Sequence, residues 1–115
     1  MEKNVKISML CQIYGKLLTK KQLEILTDYY NNDFSISEIA ENNGISRQAV
    51  NDIIKKGEKK LFELEEKLSF MNKTLEQEKV LQDVLTELSK IQNTSSDKKI
   101  EKILNHVRKE LSIII

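Results

Sequence analysis

The chain has 115 residues, of which 32% are charged, and it contains no Pro and only three Gly. Pro and Gly are the residues that interrupt helices, so this is the profile of an almost wholly α-helical soluble protein. The net charge of +1 argues against strong non-specific attraction to nucleic acid, and the single Cys excludes an internal disulfide.

That length predicts one domain, or one domain with a helical extension, large enough to bury an independent core. A lone Cys fits the reducing cytoplasm. The apolar start ISMLCQIYG is too short and too interrupted for a signal peptide or a membrane span, so neither export nor membrane insertion is expected. Charge is spread unevenly. Residues 1–60 carry a net +2 and residues 61–115 a net −1. Between Ser46 and Lys60, five cations (Arg47, Lys55, Lys56, Lys59, Lys60) face two acids, Asp52 and Glu58. This local excess fits either a few phosphate contacts or an ordinary solvated face.

Ile7, Leu10, Cys11, Tyr14 and Leu17 or Leu18 follow the i, i+3, i+4, i+7 pattern of a first amphipathic helix. Cys11 lies on its apolar side and reads as a small buried hydrophobe, and Gly15 reads as a point of close packing. Thr19 with Gln22 forms a capping box that starts a second helix carrying Leu23, Leu26 and Tyr30. The run Asn31, Asn32, Asp33 ends it with turn-forming side chains.

The stretch from Phe34 to Lys60 organises the rest. Ser35 with Glu38 is another capping box, and Ile36, Ile39 and Ala40 give the short helix that follows one apolar face. Asn42, Asn43 and Gly44 stop it, since Gly tolerates the left-handed conformation that a helix C-terminus needs. Ile45 can wedge into the turn. Ser46 can cap the next helix, on which Val50, Ile54, Gly57 and Leu61 recur at alternating spacings of four and three. This is the sequence form of a helix-turn-helix, whose second helix enters a DNA major groove in the proteins that use it so.

The same alternation continues through Leu64, Leu68, Met71 and Leu75, a heptad register with room for a break near Ser69–Asn72. Leu81, Val84, Leu85, Leu88 and Ile91 make a further apolar stripe. Asn93–Asp97 reads as a polar loop, with Ser96 or Asp97 capping a last helix that bears Ile100, Ile103, Leu104, Val107 and Leu111. The domain boundaries expected are 1–68 for the helix-turn-helix bundle, with its recognition helix from about residue 47, and 73–115 for a C-terminal helical extension. Surplus apolar helix, with a tail of three Ile, predicts that the tail is tucked against the bundle or a second subunit, and that the protein is a homodimer.

No catalytic constellation stands out. His106 is the single His and reads as a surface or boundary residue, so no metal site or His relay is expected. Glu63, Glu65 and Glu66 read as solvated partners of nearby Lys residues. The chain is expected to be neither an enzyme nor a holder of a cofactor or metal. Stepping 100° per residue from Arg47 puts Val50, Ile53, Ile54, Gly57 and Leu61 on one side of the helix. Gln48, Asp52, Lys55 and Lys59 fall opposite, flanked by Asn51. Gln and Asn can pair with adenine through two hydrogen bonds, and Lys reaches guanine or phosphate. The candidate nucleic-acid-binding residues are therefore Ser46, Arg47, Gln48, Asn51, Lys55, Lys56 and Lys59. Asp52 is the awkward member of this face, because it repels phosphate. Phe62 points away from the apolar stripe, which predicts a covering helix or partner.

LLTKKQ (Leu17–Gln22), ISEIAENNGISRQAV (Ile36–Val50) and the trailing helix together resemble the YlxM-like proteins. These are small bacterial helix-turn-helix proteins encoded beside the GTPase of the signal recognition particle. The chain through about Leu68 is also similar to the promoter-reading C-terminal domain of sigma factors. The resemblance implies an all-α helix-turn-helix bundle, DNA as partner, and a regulatory role in the signal recognition particle pathway. Asn51, Asp52 and Ile53 stand where the sigma-factor pattern more often has basic or hydroxyl residues, which leaves room for a different target. The alternatives are direct association with the particle's GTPase or its RNA, and a helical interaction module without a nucleic-acid role.

Overall fold

Tyr14, Ile25, Leu26, Ile39, Val50 and Leu61 are all buried, drawn from four helices that pack on one another. The structure is a computed structural model that describes residues 1–94 and 97–114. Helix α1 spans Lys3–Tyr14 and buries Ile7, Leu10 and Tyr14. It tightens into a 3₁₀ turn at Gly15–Leu17. That tightening decides between the two neighbouring leucines: Leu18 turns inward and Leu17 is exposed. A Cβ at Gly15 would stand 3.1 Å from Leu23 Cδ1, so the close approach expected there is real.

Helix α2 spans Lys20–Tyr30 and begins with the Thr19–Gln22 capping box, in which each side chain bonds the other's backbone N–H. Its buried face is Ile25 and Leu26, whereas Leu23 is only half-buried. Helix α3 spans Ile36–Asn43 and opens with the Ser35–Glu38 box. It closes on Gly44 at φ 64°, and the Ile45 N–H returns to the Ala40 carbonyl at 3.1 Å. Helix α4 spans Arg47–Leu68, and its Ser46 cap accepts the Ala49 N–H at 3.0 Å. Helices α1, α2 and α3 all pack on α4, which is the axis of the bundle. This is an all-α helix-turn-helix bundle.

Two features mark the far end of α4. The heptad stripe breaks within the Ser69–Asn72 stretch where the sequence leaves room for it: Ser69 takes a left-handed conformation (φ 56°), and α5, Phe70–Thr94, begins at the next residue. Glu65 is not a solvated member of an acidic cluster. It is 8% exposed, accepting the Tyr14 hydroxyl at 2.7 Å and the Met71 N–H at 2.9 Å, while Glu63 and Glu66 face solvent. Spacing along one helix could not reveal this, because Tyr14 lies 51 residues earlier.

The chain divides into two units, Met1–Met71 and Asn72–Ile115. In the second, α6 spans Lys98–Ile114; Leu104 is buried, and Arg108 donates to Ser89 Oγ at 2.7 Å. Helix α5 runs on through Asn93 and Thr94, which the sequence spacing assigns to a loop, and Asn93 is exposed there. Asp97 accepts the Lys99 N–H at 2.8 Å and so caps α6; Ser96, the alternative cap, lies outside the described residues. Of the terminal isoleucines, Ile113 is exposed in the single chain, and Ile115 lies outside the described residues.

Candidate nucleic-acid interface

Helix α4 is held on one side and bare on the other. Val50, Ile54, Gly57, Leu61 and Glu65 are buried. A Cβ on Gly57 would come within 2.7 Å of Leu26 Cδ1, so α2 and α4 meet with no room for a side chain. The flank towards α1 and α2 is tied by polar contacts. Glu58 receives the Tyr30 hydroxyl and pairs with the Lys3 ammonium at 3.4 Å. The Lys6 ammonium lies 5.2 Å from the Phe62 ring centroid, a cation–π contact that partly covers the one aromatic residue off the apolar stripe.

This tethering changes the electrostatics of the solvent side. Of the two acids between Ser46 and Lys60, Glu58 is turned towards Lys3 and Tyr30, leaving Asp52 as the exposed one. Arg47, Lys55, Lys56, Lys59 and Lys60 are all exposed, and none makes an ion pair among the described residues. The outward field of α4 is thus more positive than the plain sequence count.

The seven candidate residues do not form one patch. Ser46 is occupied as the helix cap, although its hydroxyl proton stays free to donate. Arg47 and Gln48 project at the helix start, and the Gln48 amide donates to Asp52 Oδ1 at 3.3 Å. Asn51 is half-buried, so its amide is less available than its helical position implied. Lys55 lies on the open face. Lys56 and Lys59 instead line a hollow with Lys60, Leu17, Thr19, Gln22 and Glu63. Spacing along α4 placed Lys56 and Lys59 near that side, but Lys60 and the start of α2 enter only through packing. Lys21, also unassigned from the sequence, donates to Asn43 Oδ1 at 2.9 Å and joins the start of α2 to the end of α3, beside the turn.

No group of His, Cys, Asp and Glu able to hold a metal ion occurs among the described residues. Burial raises the Cys11 thiol above its usual value, which keeps it protonated and unreactive at neutral pH. His106 is exposed. No described helix is long and apolar enough to cross a membrane.

Residues 1–105 match the sequence profile of the family described as "Putative helix-turn-helix protein, YlxM / p13 like". The chain belongs to that family. Similar members cover most or all of the chain. A UPF0122 protein of Clostridium perfringens is 41% identical over 111 residues, covering 91% of this chain and 99% of the relative. One from Acetivibrio thermocellus is 41% identical over 115 residues, covering all of this chain and 98% of the relative. Another, from Clostridium botulinum, is 46% identical over 88 residues, covering 76% and 81%. Membership in this YlxM / p13 family accords with the bundle seen here, in which the turn at Gly44–Ser46 delivers α4 with its outer side uncovered.

Proposed function

We propose that this protein is a DNA-binding helix-turn-helix regulator of the cytoplasm, reading duplex DNA with the start of α4 and acting in the signal recognition particle pathway. The supporting observation is the asymmetry of α4. Its apolar side is locked against three helices and Glu58 is withdrawn to the α1–α2 flank, so unpaired cations cover the side left open. In this reading the residues divide into two roles. Arg47, Gln48 and Asn51 approach base edges from the first two turns, where recognition helices make such contacts. Lys55 neutralises a phosphate nearby. Lys56 and Lys59, together with Lys60, bind the backbone on the Thr19–Gln22 flank.

A second reading rests on Asp52. A carboxylate amid the open face is unfavourable beside a phosphate backbone, and it favours a direct protein contact with the particle's GTPase. Co-purification from cells, with and without nuclease, separates the two. The DNA reading expects no particle component to co-purify in either case; a GTPase retained after nuclease overturns it in favour of protein contact, and a particle lost on nuclease treatment overturns it in favour of the RNA. A homodimer accompanies the proposal, supported by the exposed α5 residues Val80, Val84 and Ile91.

A further inference from the structure

Nothing in the covalent chain requires the break at Ser69. The protein has no Pro, and Gly57 is its last Gly. The apolar register of α4 passes through the break without a slip, from Leu61, Leu64 and Leu68 to Met71 and Leu75. Ser69 nonetheless sits at φ 56° and ψ 26°, a conformation unfavourable for any residue with a Cβ.

Tertiary contacts hold the break, with Tyr14 and Glu65 at their centre. Tyr14 donates to Glu65 Oε1 at 2.7 Å and its oxygen accepts the Phe70 N–H at 3.2 Å; the same Glu65 oxygen accepts the Met71 N–H at 2.9 Å. The Tyr14 and Phe70 rings stack with centroids 6.2 Å apart. In an uninterrupted helix those two backbone donors would bond the carbonyls four residues earlier, at Glu66 and Lys67. The two arrangements therefore satisfy the same N–H groups with different partners. One gains the Tyr14–Glu65 contacts and the burial of Met71, and the other relieves the left-handed serine.

We propose that this is a conformational latch: with Tyr14 engaged, α4 ends at Leu68, and with Tyr14 released, α4 and α5 join into one continuous helix. Helix α1, which supplies Tyr14, thereby sets where the proposed reading helix ends. This inference stands on the Ser69 geometry and holds whether or not α4 binds nucleic acid.

Spin labels at Glu66→Cys and Asp83→Cys, both exposed positions, in a Cys11→Ala background would read the two states by pulsed dipolar spectroscopy. A continuous helix separates their Cα atoms by about 26 Å, from ~1.5 Å of rise per residue. Ser69→Ala penalises the left-handed conformation and Tyr14→Phe removes the hydroxyl, so each should increase the population at the helical separation. Ser69→Gly, which accepts the left-handed conformation freely, should deplete it. Identical distance distributions in Ser69→Ala, Tyr14→Phe and Ser69→Gly would overturn the latch. Circular dichroism on the same samples should show more helix in Ser69→Ala than in Ser69→Gly at equal stability, and the reverse order also contradicts it.

Discussion

Gln48 and Asp52 are one turn apart and hydrogen-bonded, so any base contact by the Gln48 amide competes with a partner already in place. Asp52→Asn should therefore act twice, removing the exposed negative charge and weakening the hold on Gln48. The expected outcome is tighter binding to all duplex sequences, read as a uniform fall in Kd in fluorescence anisotropy. Gln48→Ala should cost about 1–3 kcal/mol at a preferred site and little elsewhere, which a competition assay against scrambled duplex measures. Tyr14 makes a different residue-scale prediction. Burial first, and the Glu65 hydrogen bond second, raise its hydroxyl above the usual tyrosine value. A raised folded-state pKa favours the protonated form, so its contribution is intact below the unfolded value of about 10 and is lost as pH rises beyond it. Tyr14→Phe should cost about 1–3 kcal/mol at neutral pH, because the buried Glu65 carboxylate loses a donor. The gap between wild type and variant should narrow above pH 10 in denaturant titrations; a constant gap would refute the assignment.

Among the elements, α4 depends on Gly57 more than its place in an apolar stripe conveys. Gly57→Ala gains about 1 kcal/mol of helix propensity. The new Cβ, however, would meet Leu26, a fully buried side chain with little freedom to move, and overpacking of that kind costs about 1–3 kcal/mol. The balance should be a net loss near 1 kcal/mol, seen as a lower denaturant midpoint with an unchanged m-value; a stabilised variant would mean that Leu26 repacks freely. The sequence made the helix boundaries legible wherever a local device sets them. Thr19–Gln22, Ser35–Glu38, Gly44 and Ser46 each act on backbone groups within a few residues, so reading along the chain finds them. It did not disclose Glu65 as buried or Glu58 as tethered to α1, and it allowed a break near Ser69–Asn72 without fixing it at Ser69. In each case the deciding partner, Tyr14 or Lys3, lies more than fifty residues away. The candidate site was legible to the same extent. Helical phase placed Gln48 and Lys55 on the open side, but the hollow shared by Lys56, Lys59 and Lys60 with Thr19 and Gln22 exists only once α2 and α4 pack.

For the whole molecule, charge and apolar surface point to different tasks for the two units. Met1–Met71 carries the bundle and the cationic side of α4, while Asn72–Ile115 leaves Val80, Val84 and Ile91 of α5 and Ile103 of α6 exposed. If Val80 and Val84 serve a homodimer, sedimentation at micromolar concentration should return a dimer mass that Val80→Glu reduces to the monomer. A strictly monomeric wild type would end that part of the proposal. The central claim, that α4 presents a nucleic-acid-reading face, is tested most directly by the salt dependence of wild-type and Lys55→Ala binding to one DNA duplex. Each phosphate contact contributes about −0.9 to the slope of log K against log salt. The account predicts measurable wild-type binding, with a slope that flattens by about one in Lys55→Ala while base preference is kept. An identical slope and affinity in the two proteins would contradict it.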